Sequence, residues 1–357
     1  MTFERSNIAA MSGYAPGEQP RGGDAIKLNT NENPYPPSPQ VKQALAEFDV
    51  ASLRRYPNPI ADEFRQIAAD LHGLELDNII PTNGGDELLR LILTTFVAEG
   101  EVVATTKPTY SLYPVLTAIR GASLSEIELG AEWELPSDLL AQLAALKAKM
   151  FILVNPHAPT GKLVSVEHIA EIAENFDGVF VVDEAYIDFV DPDYQHDCVP
   201  LLARFENLLI LRTLSKGYSL AGLRFGYGLA SKQLAAPMLF KTRDSYNTDA
   251  ISQRLACAAL SSQDYAQQTW QRVRASRSSL SAALRSLGIE SLPSQSNFLL
   301  SSIPEPYSAP DIYEQLKGRG ILVRYFDQDR LRDKLRISIG SEEENERLLN
   351  ALREICA

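Results

Sequence analysis

The chain contains the run Thr213-Leu214-Ser215-Lys216-Gly217-Tyr218-Ser219-Leu220-Ala221-Gly222-Leu223-Arg224, shortly after an apolar segment at residues 208–211. Hydroxyl side chains flank Lys216, and Arg224 follows it at a short distance along the chain. A lone lysine between a strand and a loop is usually a solvated surface charge. The run therefore indicates a site only if other polar groups converge on the same place.

A second polar group follows another apolar run. Residues 179–182 are Val-Phe-Val-Val, and Asp183-Glu184-Ala185-Tyr186 come directly after them. If both apolar runs are parallel strands of one sheet, the residues after them meet at its C-terminal edge, where such sheets bind ligands. An acid, a phenol, a lysine, hydroxyls and an arginine would then share one site. This is the set of groups needed to hold pyridoxal 5′-phosphate (PLP).

The chemistry of PLP explains each residue type. The cofactor links to a lysine amine, here Lys216, and drains electrons from the substrate α-carbon through its protonated ring nitrogen. A carboxylate beside that nitrogen raises its pKa, which predicts a role for Asp183. Tyr186 can donate a hydrogen bond to the ring O3′. Ser215, Arg224 and a helix N-terminus can bind the 5′-phosphate.

Composition excludes several classes of partner. The net charge of −12 provides no basic surface for nucleic acid, so anionic ligands must be bound by local arginines and backbone N–H groups. The three scattered cysteines predict neither a disulfide framework nor a zinc site, and we expect no metal. No apolar stretch approaches ~20 residues, and the N-terminal residues lack a secretory signal, so we expect a cytoplasmic protein that does not span a membrane.

Short apolar strands alternate with amphipathic helices from about residue 79 to residue 230. This alternation predicts an α/β fold with a large, mostly parallel sheet covered by helices. The predicted strands are Ile79–Pro81, Val102–Thr105, Phe151–Val154, Val179–Val182 and Leu208–Leu211, and the predicted helices between them are Glu87–Val97, Ser137–Ala148 and Val166–Phe176.

The remaining segments predict four parts of the chain. Residues 1–30 are rich in glycine and proline and predict an extended N-terminal arm. Residues 31–262 form a large PLP-binding domain, and a helix at residues 263–288 links it to a small C-terminal α+β domain at residues 289–357. In that last domain we predict strands Asn297–Ser301, Ile321–Arg324 and Leu335–Ile339, with helices Pro310–Lys317 and Glu342–Ile355.

Eight segments in order resemble the fold-type I PLP-dependent aminotransferases, and among them the histidinol-phosphate aminotransferases. They cover nearly the whole chain from about Tyr14, and they imply that fold. The segments are Leu28-Asn29-Thr30-Asn31-Glu32-Asn33-Pro34, Arg55-Tyr56-Pro57, Asn83-Gly84-Gly85-Asp86-Glu87, Pro108-Thr109-Tyr110, Asn155-Pro156-His157-Ala158-Pro159-Thr160-Gly161, Asp183-Glu184-Ala185-Tyr186, the run around Lys216, and Leu335-Arg336-Ile337-Ser338-Ile339-Gly340.

The resemblance implies further cofactor contacts. The N–H groups of Gly85 and Asp86 would bind the cofactor phosphate, although a glycine-rich turn with Asp86 as helix N-cap is the alternative. Tyr110 would stack on the pyridine ring, and Thr213 would lie beside the cofactor. Tyr56 would reach the phosphate in the neighbouring subunit's site, which implies a homodimer with shared active sites.

The segment from Asn155 to Gly161 departs from the family pattern. The family has an asparagine that donates to O3′ at the position of Ala158. We therefore expect Tyr186 to be the main O3′ donor, with help from Asn155 or a water. His157 is interpreted as a loop histidine, with contact to the site as the alternative.

Substrate residues are also implied by the resemblance. Arg336 matches an arginine that clamps the α-carboxylate of the amino donor, and Arg324 matches one associated with the distal anion. Tyr14 and Asn31 match segments on the substrate side. Arg336 alone would read as a surface arginine on a strand.

The implied reaction is transfer of an amino group from L-histidinol phosphate to 2-oxoglutarate, giving imidazole acetol phosphate and L-glutamate in histidine biosynthesis. Freed Lys216 would act as general base, and ping-pong kinetics are expected. The alternatives are an aminotransferase for phenylalanine or tyrosine, a decarboxylase of O-phosphothreonine, and a non-catalytic PLP-binding regulator. The regulator would need an additional DNA-binding domain.

Overall fold

A computed structural model describes residues 3–19 and 24–356. Part of the predicted arm, including Pro20, Gly22 and Gly23, lies outside the described residues. The strands are β1 (Ile26–Lys27), β2 (Ile79–Thr82), β3 (Val102–Lys107), β4 (Ser123–Glu128), β5 (Met150–Val154), β6 (Val179–Asp183), β7 (Leu208–Thr213), β8 (Gly226–Ala230), β9 (Glu290–Ser291), β10 (Phe298–Ser302), β11 (Ile321–Leu322), β12 (Arg324–Tyr325) and β13 (Lys334–Ser338).

The α-helices are α1 (Ser6–Ala9), α2 (Pro39–Ala46), α3 (Asp62–His72), α4 (Gly84–Phe96), α5 (Leu112–Arg120), α6 (Leu139–Ala145), α7 (Val166–Asn175), α8 (Lys232–Pro237), α9 (Ala250–Leu260), α10 (Gln263–Ser286), α11 (Ala309–Gly318) and α12 (Glu342–Ile355). Several begin at a side chain that caps free N–H groups; Ser341, for example, forms a reciprocal capping box with Glu344. None of these helices is long and apolar enough to cross a membrane.

The large sheet has the strand order β2-β8-β7-β6-β5-β3-β4. The strands from β7 to β4 run parallel, and β8 is antiparallel to both of its neighbours. Both faces of the central strands are buried, because successive residues of β5 alternate between two apolar layers: Met150 and Ile152 pack in one, Phe151 and Leu153 in the other. The predicted mostly parallel sheet covered by helices is confirmed.

The five strands predicted for this sheet are present, and each ends within two residues of its predicted limit. Strands β4 and β8 were not predicted. In β8 the two glycines lower strand propensity, yet the packing requires them. A Cβ at Gly226 would lie 2.9 Å from the carbonyl carbon of Gly84, and one at Gly228 would lie 3.1 Å from Ile80. The close approach of β8 to the start of α4 therefore explains Gly226, and the packing of Ile80 from β2 explains Gly228.

A smaller antiparallel sheet has the order β12-β13-β10-β9. The single strand predicted at Ile321–Arg324 is wrong, because this segment serves two sheets. Its first half, β11, pairs in parallel with β1 of the predicted arm, and its second half, β12, pairs with β13. The long helix α10 begins at the first residue of the predicted linking helix and ends two residues before its predicted end. The boundaries of the domains at residues 30, 262 and 288 stay a prediction.

Candidate active site

A cavity of about 290 Å³ lies at the C-terminal ends of β5, β6 and β7, and side chains of β12 and β13 also line it. This is the edge of the sheet at which parallel strands present ligand-binding groups. The structure brings most of the predicted site residues together around this cavity. They are Tyr14, Asn31, Gly85, Asp86, Tyr110, Asp183, Tyr186, Thr213, Ser215, Lys216, Arg224, Arg324 and Arg336.

Lys216 lies in the loop after β7, with its side chain in the cavity. Its Nζ donates to the carbonyl oxygen of Thr30 at 2.7 Å. Burial, with the nearby guanidinium of Arg336, lowers the pKa of Lys216 to about 8. The neutral fraction of this amine near neutral pH is therefore much larger than that of a solvated lysine, and the neutral form is the one that attacks an aldehyde. The loop itself is fixed by Trp270, whose Nε1 donates to the carbonyl of Gly217 at 2.7 Å.

Asp183 ends β6 and is buried at the cavity wall. Its Oδ2 accepts from the Tyr113 hydroxyl at 2.6 Å, and its Oδ1 accepts from the N–H of Ala185 at 3.1 Å. Both donors are neutral, and burial raises the pKa of Asp183 to about 6. A buried carboxylate held by neutral donors is stabilised by a cationic N–H placed against it, so Asp183 fits the protonated ring nitrogen of PLP.

The N-terminus of α4 and the side chain of Arg224 form an anion cradle. Gly84 has φ +80°, and a Cβ there would lie 2.7 Å from Nη2 of Arg224, so only glycine leaves the guanidinium its place. Arg224 donates to Asp86 at 3.3 Å and to the Ser215 hydroxyl at 3.4 Å. Free N–H groups, a guanidinium and hydroxyls around one point suit a phosphate. Asp86 lies in the first turn of α4 and is not its N-cap, which is Asn83.

Tyr186 is held with its hydroxyl oriented by Asn31. The Nδ2 of Asn31 donates to that hydroxyl at 3.0 Å, and Asn31 is itself fixed by two hydrogen bonds with Ser338 of β13. Because the Tyr186 oxygen accepts from Asn31, its own proton remains for another acceptor. Burial raises the pKa of Tyr186, so the hydroxyl stays protonated. It fits a donor to the O3′ of PLP.

The prediction for Asn155 is corrected by the structure. Its side chain is fully buried outside the cavity and pairs with the backbone of Val164, donating at 3.1 Å and accepting at 2.8 Å. These bonds hold the loop in place and leave the amide no role toward O3′. Ala158 does line the cavity, but its methyl group donates nothing. His157 is buried and lies within hydrogen-bonding distance of Thr160 and of the carbonyl of Pro108, as expected for a loop histidine.

Two arginines of the small sheet line the part of the cavity next to Phe326. Arg336 donates to the carbonyl of Asn29 at 2.9 Å, while its buried Nε has no hydrogen-bond partner among the described residues. The guanidinium carbons of Arg324 and Arg336 each lie 5.4 Å from the centre of the Phe326 ring. An orphaned buried N–H is rare in folded proteins and points to a ligand acceptor. This end of the cavity suits an anionic substrate group.

Tyr56 does not line this cavity in the single chain. Its side chain is 80% exposed and stacks on Tyr246, with ring centroids 4.4 Å apart. The prediction that it acts in the site of a neighbouring subunit is not tested by one chain, and stays a prediction.

Several functional residues could not be found from the sequence. Tyr113, which binds Asp183, lies on α5, a helix that we did not predict, and its spacing of three from Tyr110 is the only signal. Thr30 contributes a carbonyl, which carries no sequence signal at all. Three further lining residues follow β12 and come from an irregular loop. They are Phe326, Gln328 and Leu331.

Behind β6, the potential ligand atoms of Glu184, His196 and Cys198 lie within 4.8 Å of one another. Arg212 already binds Glu184 through an Nε–Oε2 contact of 2.6 Å. A guanidinium on this carboxylate opposes a divalent cation by repulsion. Burial lowers the pKa of His196 and raises that of the Cys198 thiol, so both side chains are neutral. We interpret the group as a packed polar network.

The aminotransferase class I and II family model matches residues 23–352. A curated histidinol-phosphate aminotransferase 1 from Trichormus variabilis is 43% identical over 354 residues, covering 99% of each chain, and one from Rippkaea orientalis is 41% identical over 351 residues, covering 98% of each. The crystal structure of a histidinol-phosphate aminotransferase from Sinorhizobium meliloti in complex with pyridoxal-5′-phosphate superposes with a TM-score of 0.90. It is 25% identical and covers 100% of this chain and 98% of that one.

Proposed function

Since the chain belongs to the aminotransferase class I and II family, we propose that it transfers the amino group of L-histidinol phosphate to 2-oxoglutarate. The products are imidazole acetol phosphate and L-glutamate, and the step belongs to histidine biosynthesis. The observation that carries the proposal is the sharing of one cavity by Lys216, Asp183 and two arginines. Full-length relatives named histidinol-phosphate aminotransferase, at 41% to 43% identity, support the choice of substrate.

PLP is the cofactor, and when bound it supplies an electron sink for the bond that breaks at the substrate α-carbon. Lys216 would hold it through its desolvated amine and, once the substrate amine has displaced that amine, would remove the proton from the α-carbon as general base. Asp183 would hold the proton on the ring nitrogen. Tyr186 would donate to O3′, while Arg224, Ser215 and the first N–H groups of α4 would bind the phosphate.

Arg336 and Arg324 are proposed to bind the anionic groups of both substrates. Histidinol phosphate carries a phosphate and no carboxylate, whereas 2-oxoglutarate and glutamate carry two carboxylates. A guanidinium serves both, because its planar fork pairs with carboxylate and phosphate oxygens alike. Tyr14 and Asn31 lie on the substrate side of the cavity, and Tyr14 packs edge-on against Tyr110 at 5.9 Å between ring centroids.

An aromatic amino acid aminotransferase is the second candidate, because Tyr14, Tyr110 and Phe326 give the cavity an aromatic lining. The two candidates differ in the anion that the arginines receive. We expect kcat/KM for histidinol phosphate to exceed that for phenylalanine by about 10²-fold or more, since an arginine pair left without its phosphate is costly. Steady-state assays with 2-oxoglutarate as acceptor measure both values. A preference for phenylalanine would replace the leading assignment with the second one.

A homodimer with shared active sites is part of the proposal. It is supported by the exposed stack of Tyr56 on Tyr246 and by further apolar side chains exposed nearby in the chain, among them Val50 and Leu53. We expect sedimentation of the active, cofactor-loaded enzyme to give a dimer. A monomer with full activity would contradict this. A cytoplasmic location is also proposed, in keeping with the three unpaired cysteines of the described chain.

A further inference from the structure

The irregular segment between β12 and β13, residues 326–333, forms one wall of the cavity. We call it the wall loop. Phe326, Gln328 and Leu331 line the cavity, and Leu331 is also buried in the apolar core beneath the large sheet. The wall loop therefore connects two strands of the small sheet and packs against the large sheet. Its position decides the shape of the substrate end of the cavity.

The side chain of Arg330 connects the wall loop to residues 129–131, which follow β4 of the large sheet. Its Nη1 donates to the carbonyl of Leu129 at 2.7 Å, and its Nη2 donates to the carbonyls of Gly130 and Ala131 at 2.7 and 3.1 Å. The guanidinium carbon also lies 4.0 Å from the ring centre of Trp133. Three charge-assisted hydrogen bonds and a cation–π contact converge on one side chain.

The backbone conformations of Arg330 and of Trp133 indicate that surrounding contacts fix the position of the wall loop. Arg330 has φ +66° and Trp133 has φ +64°, in the left-handed region that non-glycine residues rarely adopt. Such conformations persist where surrounding contacts determine them. The segment that receives Arg330 also continues toward the cofactor side, because the N–H of Leu129 donates to the carbonyl of Lys107, just before the cavity residues Pro108 to Tyr110.

The contact of Arg330 with residues 129–131 affects the two substrate-binding arginines through Phe326, another residue of the wall loop. Arg324 and Arg336 both pack on the face of this ring, so the ring's place fixes the guanidinium groups that bind the substrate anion. Arg330 itself does not line the cavity and touches no reacting atom. It can act on the substrate only by holding the wall loop.

We propose that Arg330 is a positioning residue that sets the affinity of the site for the anionic amino donor, by fixing the wall loop against residues 129–131. The proposal rests on the proposed function for the identity of that donor. It deepens that function, since it assigns substrate binding to a residue outside the cavity. Among the described residues its hydrogen bonds and ring contact reach only residues 129–133, and not the elements that carry Lys216 or Asp183, so it has no part in cofactor capture.

The test uses the PLP-loaded enzyme with Arg330→Met, which keeps the aliphatic length and removes the charge. We expect KM for histidinol phosphate and for glutamate to rise about tenfold or more, with kcat changed less than about threefold, because displaced binding groups weaken a bound substrate without touching the reacting atoms. The visible spectrum of the bound cofactor should not change. Arg330→Lys can still reach one carbonyl, so its KM should lie between those of wild type and Arg330→Met.

Arg332→Met is the matched control. Arg332 belongs to the same wall loop, but it is 60% exposed and pairs only with Asp327 and Asp329 in the described structure. The KM values of Arg332→Met for histidinol phosphate and for glutamate should equal those of wild type. If Arg330→Met fails to fold, Arg330→Lys and Trp133→Leu decide, because each weakens the same contact while leaving part of it intact.

Folded Arg330 variants with wild-type KM for both donors would overturn the inference. A loss of the cofactor spectrum in parallel with the rise in KM would also overturn it, since it would show a general structural role. Failure of the proposed function is a separate result. It would appear as poor turnover of histidinol phosphate by the wild-type enzyme, and the glutamate measurements would then still test Arg330.

Discussion

The Lys216→Ala variant is expected to bind no PLP covalently, and its amino-transfer activity should fall by about 10³-fold or more, because it loses both the capturing amine and the general base. The wild-type protein mixed with PLP should turn yellow, and this colour should persist through gel filtration. The variant should lose the colour in the same step. Visible spectra before and after filtration make the comparison.

Two control variants test whether the amine of Lys216 itself is required, and not merely a positive charge. Lys216→Arg keeps a cation that can donate to the carbonyl of Thr30, yet it should behave like the alanine variant because a guanidinium stays protonated. Lys232→Ala removes an exposed lysine that pairs with Glu75 and should behave like wild type. Borohydride trapping followed by peptide mass spectrometry should find the label on Lys216. A label on another lysine would refute the assignment.

The Asp183→Asn variant is expected to bind PLP but to lose about 10²–10³-fold in kcat, as for removal of one preorganised electrostatic group. Asparagine keeps the shape and can still accept from Tyr113, but it cannot hold the proton on the ring nitrogen. Steady-state kcat and the visible spectrum are the measurements. Tyr113→Phe is the matched control, because it removes the hydrogen bond and retains the carboxylate. Its kcat should fall far less.

The Asp183→Asn variant should also differ from wild type in how the free energy of unfolding depends on pH. Burial raises the pKa of Asp183 to about 6 in the folded chain, above the value of about 3.9 for a free aspartate. Between these values the folded state binds more protons than the unfolded state, so this carboxyl destabilises the cofactor-free protein progressively as pH rises from about 4 to about 6. Asp183→Asn should remove this contribution. Equal pH dependence of unfolding for the two proteins would show that the pKa of this carboxyl is not raised in the folded state.

The sequence predicted those parts of the fold in which apolar periodicity is strong. The buried strands β5, β6 and β7 are continuous apolar runs, and the residues that follow β6 and β7 carry the chemistry. For this reason Asp183, Lys216 and Arg224 could be assigned to one site from the sequence, and the structure brings them to one cavity.

The parts that escaped prediction depend on contacts between distant segments. Strand β8 has glycines because the start of α4 and the side chain of Ile80 approach it closely, which no local pattern reveals. Asn155 is next to motif residues in sequence, but its amide is used by the backbone of Val164. Thr30 acts through a carbonyl, which every residue possesses. In each case the sequence shows the residue itself but does not show which distant residue or backbone group it contacts.

The pairing of β1 with β11 also bears on how the protein is made. Asn31 donates its N–H to the hydroxyl of Ser338, 307 residues away, and the carbonyl of Thr30 receives the amine of Lys216. A nascent chain cannot form the contact with Ser338 until residue 338 has left the ribosome, long after the sheet residues have emerged. The pocket is therefore completed late in synthesis, after the strands that precede Asp183 and Lys216 have emerged.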